Sequence, residues 1–324
     1  MGAGHPGAST IPGTSADTGG WSQYFAMRDL VLNENACALP GVPVRYETFI
    51  PHMWRAVALG CVRHEDACYV ATGLRWGFDL GVRVSELVGH RWFKNYPSAV
   101  EAREAVTKGI LKRVDMGRTL DLGEWGPALS STVRGTFANS FIFPMGAVPK
   151  GPLQPDEMRA TSDHSRTGLN AATVLDFLRH SLDTYNEVAW FLQQDYFMRV
   201  SDVDGAFTIL PIHYALWPFF MFRFWAGKSD RQRLYMHTCG DFGAAGMPGV
   251  FKKFFVDVVV GMARAVRVLT LPFPVYVDDC ACIGAIREVV DDASLDAQSV
   301  EGTVTKGGES RVLHVPCRGA WSSG

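Results

Sequence analysis

Pro274-Val275-Tyr276-Val277-Asp278-Asp279 sets two adjacent carboxylates directly after a short apolar run. Such flanks predict burial, where like charges repel and desolvation disfavours both. A divalent cation reverses that cost, since carboxylates are preferred ligands of Mg²⁺. Taken alone, Tyr-x-Asp-Asp reads equally well as an acidic turn after a strand. Upstream, however, Ser201-Asp202-Val203-Asp204-Gly205-Ala206-Phe207 places Asp202 between two further apolar stretches. Three carboxylates delivered from two strands suit two Mg²⁺ ions roughly 3.5–4 Å apart, an arrangement for in-line phosphoryl transfer.

The chain has 324 residues and is 47% hydrophobic, enough to bury a full core with room for two subdomains. A net charge of −2 carries no global basic signature and argues against tight, independent nucleic-acid binding. The 7 cysteines show no CxxC pairing. This disfavours a zinc site and points to reduced thiols in a soluble, intracellular protein, nuclear or cytoplasmic. The first twenty residues lack the apolar centre of a signal peptide. The stretches Trp217 to Trp225 and Phe254 to Val277 are too short to span a membrane or carry Asp257, Arg264 and Arg267.

Residues 1–20 are rich in Gly, Ser, Thr, Ala and Pro, and are expected to be disordered. Residues 21–140 read as mostly helical, with one helix over Ser98 to Val114 whose apolar side carries Ala102, Ala105, Val106, Ile110 and Val114. Residues 141–175 alternate short apolar runs with Gly and Pro, which suggests a β-hairpin. Residues 176–298 form the segment that carries the carboxylates. It opens with a helix over Leu175 to Phe197, followed by strands around Val200 to Ile212 and Pro218 to Phe224. A helix over Gly249 to Val268 then repeats Phe251, Phe254, Phe255, Val258, Val259, Met262 and Val266 on one side. Lys252, Lys253, Asp257 and Arg264 lie on its other side. A hairpin across Val275 to Ile283 sets Asp278 and Asp279 at its turn, and residues 299–324 form an irregular tail.

These blocks, in this order, resemble a reverse transcriptase. Pro144 to Lys150, Met158 to Asp163 and Leu169-Asn170 are similar to the family's fingers. Ser201 to Phe207 resembles its first catalytic block, and Phe242 to Phe251 the block that supports the templating base. Tyr276 to Asp279 completes the set. Gly73 to Gly81, Asn95 to Ala99, Gly117-Arg118 and Asp163 to Asn170 resemble DIRS-like retroelements, which integrate with a tyrosine recombinase. Some positions depart from the family. Ser201 stands where an apolar residue is common, Gly151 to Glu157 lengthens the hairpin with two prolines, and Lys306 is a poor match to the lysine-bearing block.

The resemblance implies an α+β right-hand polymerase, with fingers and palm, an antiparallel palm sheet packed on helices, and no recognisable thumb. It implies an RNA-directed DNA polymerase that adds deoxynucleotides to a primer on an RNA or DNA template, and is compatible with further domains of a retroelement polyprotein. Asp202, Asp278 and Asp279 become the catalytic metal ligands for two Mg²⁺ ions, with Mn²⁺ as a substitute, and Asp279 the least essential. Asp204 is a bystander or an outer-shell group. Lys150 and Arg159 are candidates for gripping the triphosphate. Phe207 lies where the family sets a ring under the incoming sugar, which excludes a 2′-hydroxyl. Gly243, Gly246 and Pro248 shape the templating-base loop, and Tyr276 precedes the paired carboxylates.

For each residue there is a plainer alternative. Lys150 reads equally as a solvated loop lysine, Phe207 as a core aromatic, and Gly-Pro as a turn before a helix. Trp217, Phe219, Phe220, Phe222 and Trp225 read better as core packing than as a base-stacking platform. His237 and Cys239 read as structural. Two competing functions are a viral RNA-dependent RNA polymerase, disfavoured by Tyr276-Val277 and Phe207, and an inactive retroelement fragment that only binds nucleic acid.

Overall fold

The computed structural model describes residues 19–151, 154–179, 185–191, 195–203, 205–226, 230–267, 269–276, 279–285, 287 and 312–314. The segment 1–18, Asp204, Asp278, Lys306 and most of 299–324 lie outside them.

Three helices open the described chain: α1 (Gly19–Leu32), α2 (Tyr46–Ala58) and α3 (His64–Trp76). α3 has Glu65 and Asp66 in its first turn and Arg75 in its last, the charge order that complements the helix dipole. Then come β1 (His90–Trp92), α4 (Pro97–Glu101), α5 (Arg103–Asp115), β2 (Thr119–Glu124), α6 (Pro127–Thr136) and β3 (Ser140–Phe143). The expected helix over Ser98 to Val114 is therefore two helices, broken at Ala102. Ala99, Val106 and Ile110 are buried, whereas Val114 is only partly so.

β4 (Met145–Gly151) and β5 (Gln154–Ser162) pair as an antiparallel hairpin, followed by the single turn α7 (His164–Thr167). The reading of Leu175 to Phe197 as one helix fails. Residues 176–178 form a turn, only α8 (Tyr185–Phe191) is helical among the described residues, and Phe197 already belongs to β6 (Phe197–Asp202). Leu178 is buried against Gly249, and that tertiary contact overrides local helix propensity.

β7 (Met221–Trp225) and β8 (Gln232–His237) complete a mixed sheet in the order β1-β3-β7-β8-β2, with β1, β3 and β7 parallel and the rest antiparallel. Its strands at 90–92, 119–124 and 232–237 are absent from the sequence reading. Trp217, Phe219, Phe220 and Phe222 are buried, as core packing requires.

The long C-terminal helix runs as α9 (Met247–Phe251), a wide-turn segment Lys252–Val260, and α10 (Gly261–Ala265). Hydrogen bonding from i to i+5 puts more residues in each turn and rotates the faces relative to a 3.6-residue period. Lys253, expected on the outer face, is consequently buried, with Nζ 2.6 Å from Asp66 Oδ1. Val266, expected inside, is exposed. The phenylalanines face inward, but the helix packs mainly on α2 and α3, with Phe254 stacked on Phe49 at 5.8 Å.

β9 (Val275–Tyr276), β10 (Asp279–Gly284) and β11 (Val312–His314) form a second sheet with β6, antiparallel throughout, in the order β11-β6-β10-β9. β11 corrects the reading of 299–324 as wholly irregular. Among the described residues no helix is long and apolar enough to cross a membrane.

Candidate active site

The antiparallel sheet positions the carboxylates. β6 and β10 pair so that Asp202 stands directly opposite Asp279, Ser201 opposite Cys280 and Val200 opposite Ala281. On the other side of β10, Asp279 opposes Tyr276, which closes the hairpin. The register thus brings together two acidic positions that lie far apart in the sequence. Asp279 is exposed, and the Tyr276 side chain is 56% exposed beside it. Asp278, which precedes Asp279 in the sequence, is outside the described residues.

Opposed like charges across an antiparallel pair repel. A cation offsets that repulsion, and carboxylate oxygens are donors that Mg²⁺ and Mn²⁺ accept. The donor chemistry at positions 202 and 279 therefore fits a divalent metal. Among the described residues no group of three potential metal ligands converges.

Beyond Asp202 the chain turns at Gly205, whose φ of +74° favours glycine. The turn is held by Thr208, whose Oγ1 donates to the Gly205 carbonyl at 2.8 Å and accepts from Arg118 Nη1 at 3.0 Å. Arg118 also donates from Nε to the Gly41 carbonyl at 3.2 Å. Its guanidinium thus braces the turn that follows Asp202, a role that only the tertiary contacts reveal.

Phe207 is only 6% exposed, with its ring 4.8 Å from Phe242 and 5.8 Å from Phe251. Much of this side chain is core packing, the plainer of its two readings. Phe242 leads into the loop of Gly243, whose φ of +109° and close approach to the Ser162 carbonyl leave no room for a Cβ. Asn170 clamps this loop by donating from Nδ2 to the Gly243 carbonyl and accepting from the Ala245 amide, both at 2.9 Å. Pro248 occupies the first turn of α9, where its missing N–H costs nothing.

Lys150 and Arg159 sit on the β4–β5 hairpin, which packs mainly on α4, α5 and β7 rather than on the carboxylate strands. Lys150 is held by Glu157 at 2.5 Å, and Arg159 is exposed opposite Val148.

His237, read as structural and without an evident partner, belongs to a buried polar network. Its Nδ1 lies 2.7 Å from Thr119 Oγ1, and its Nε2 lies 3.2 Å from Arg113 Nη1. The same Arg113 nitrogen donates to Asp241 Oδ1 at 2.8 Å, and His164 Nε2 lies 3.4 Å from Asp241 Oδ2. Burial pushes the His237 pKa down to about 3, outweighing the attraction of Asp241, while Arg113 and His164 lower it further. Burial alone would raise Asp241, but His237, Arg113 and His164 hold its carboxyl well below the usual range. The network anchors the start of the Phe242–Gly246 loop. His237 and Asp241 stand four residues apart, but nothing in the sequence brings them to His164 or Arg113.

No protein-family model matches the chain, and no curated protein does. Among solved structures it is similar to the crystal structure of a prototype foamy virus protease-reverse transcriptase, a selenomethionine-labelled CSH mutant, at 22% identity and a TM-score of 0.44. The match covers 67% of this chain and 25% of that one, so this chain spans about a quarter of that protein's length. At that identity and score, the likeness assigns neither an activity nor residue roles.

Proposed function

We propose that the chain is an RNA-directed DNA polymerase domain that extends a primer with deoxynucleotides. The observation that carries this reading is the backbone register that sets Asp202 opposite Asp279, next to Asp278. The ordered sequence blocks around it support the same reading. Similarity of residues 73–81, 95–99 and 117–118 to DIRS-like elements supports the finer kinship.

Asp202, Asp278 and Asp279 would hold two divalent cations, which when bound acidify a primer hydroxyl and neutralise phosphate charge. In this proposal Lys150 and Arg159 grip the triphosphate from the hairpin. The clamped loop from Phe242 to Pro248 carries the templating base, Phe207 flanks the sugar, and Tyr276 steadies the hairpin.

The test is primer extension by this chain with Mg²⁺ or Mn²⁺ on RNA and DNA templates. Extension is expected, and Asp202→Asn or Asp278→Asn should lower its rate by about 10³-fold or more. Both variants should melt no earlier than the parent in chelator, because each removes a charge from a repelling cluster. Folded parent protein that adds no nucleotide, or an Asp202→Asn variant that extends normally, would refute the assignment.

A further inference from the structure

Away from the carboxylates, the mixed sheet carries a cavity of about 320 Å³ lined by Lys94, Asn95, Val100, Arg223, Trp225 and Gln232. That volume is within the range of small-ligand sites, which begins at roughly 300 Å³. Its walls follow from strand geometry. Arg223 and Trp225 alternate along one face of β7, and Gln232 stands opposite Trp225 on β8. Asn95 ties the neighbouring segment down, donating to the Arg223 carbonyl at 2.7 Å and accepting from the Met145 amide at 3.0 Å.

The charges here are unbalanced. Arg223 is half-buried, and among the described residues its guanidinium makes one hydrogen bond, from Nη2 to the Phe93 carbonyl at 3.0 Å. Its Nε is buried without an acceptor, and the group stacks 5.0 Å from the Trp125 ring. A guanidinium does not escape this cost by losing its proton. Lys94 likewise has no acidic partner among the described residues. The carboxylates of the neighbouring strand β2 are already engaged, Asp121 by Arg233 through both oxygens and Glu124 by Arg231. The Gln232 amide faces the same cavity.

A fixed guanidinium fork, an ammonium and an amide donor, with no carboxylate in the lining, match an oxyanion with several acceptor oxygens. We propose that this cavity binds a phosphoryl group, with Arg223 and Lys94 as its charged partners and Gln232 as a neutral donor. Two cations favour a phosphomonoester dianion, such as the terminal phosphate of a mononucleotide, over a singly charged phosphodiester.

Calorimetric titration of the whole chain in chelator, which leaves the carboxylate site without metal, tests this separately from polymerase activity. Inorganic phosphate and a deoxynucleoside 5′-monophosphate should bind saturably. Lys94→Ala and Arg223→Gln should each weaken them by about tenfold or more. Gln232→Glu supplies an internal counter-charge, so it should abolish binding and raise the melting temperature even if Arg223→Gln proves too unstable to assay. Absence of saturable binding by the parent, or undiminished binding in Lys94→Ala and Gln232→Glu, would overturn the site. A dinucleotide without terminal phosphates that binds more tightly, and is lost in the same variants, would overturn the monoester as its source in favour of a strand backbone.

Discussion

At the scale of single residues, the buried network around His237 ties stability to pH. Arg113 donates to Nε2, so the imidazole is neutral and its remaining proton points to Thr119. Its pKa is pushed from 6.5 to about 3 by burial. As pH falls from about 6.5 towards 3, the unfolded chain takes up a proton that the folded chain refuses. Stability is therefore complete above that window and falls within it, by up to about 1.4 kcal/mol per pH unit. Asp241, held low, adds a loss of the same sign at still lower pH. Urea midpoints measured from pH 7 to pH 4 should show this slope, and His237→Gln should flatten it. Identical slopes in the two proteins would contradict the assignment. Phe207 admits a sharper separation of roles. Phe207→Ala should cost about 3–5 kcal/mol as a core truncation. The milder Phe207→Val should raise the ribonucleotide-to-deoxynucleotide ratio of kcat/KM if the ring also borders the sugar, and an unchanged ratio would leave it a core aromatic alone. The carboxylates were legible in the sequence because adjacent acids beside apolar runs are conspicuous. The histidine network was not, since its members meet only through tertiary contacts.

At the scale of elements, the wide-turn helix and α3 are joined by a buried ion pair. Asp66 is fully buried and accepts from Lys253 at 2.6 Å and from Arg63 at 2.7 Å. Arg63 is mostly exposed, whereas Lys253 is 7% exposed and also lies 3.9 Å from the Phe177 ring centre. The two ends of the pair are therefore unequal. Asp66→Leu strands a buried ammonium and should cost about 3–5 kcal/mol, while Lys253→Met leaves Asp66 its Arg63 partner and should cost clearly less. Denaturant midpoints of the two variants decide this, and equal losses would show that Arg63 contributes nothing. Sequence periodicity found this helix and its aromatic face, but it misplaced Lys253 and Val266 because it assumed 3.6 residues per turn. The 145–162 hairpin was legible from Gly and Pro punctuation. The strands at 90–92 and 119–124 were not, because each is short and finds its partner only through long-range pairing.

At the scale of the whole molecule, one hydrophobic cluster runs from Tyr24 and Met27 on α1, through Phe78 and Trp217, to Cys280 and Cys282 on β10. Composition was enough to foresee a large core, and the α+β class came from the ordered blocks and the resemblance they carry. Neither could foresee that the first helices and the carboxylate sheet share that core, since burial depends on which faces meet. A smaller cluster around Phe143, Phe222, Phe224 and Tyr235 backs the mixed sheet where it meets α4 and α5. The strand order also has a consequence during synthesis. β2 pairs along β8, so Thr119–Glu124 emerges from the ribosome well before Gln232–His237 exists to receive it. At roughly 5–20 residues per second, that edge waits on the order of 10 s. For that time Thr119–Glu124 has no strand of its own chain to receive it, and such a waiting edge is where late, long-range pairing exposes a chain to aggregation.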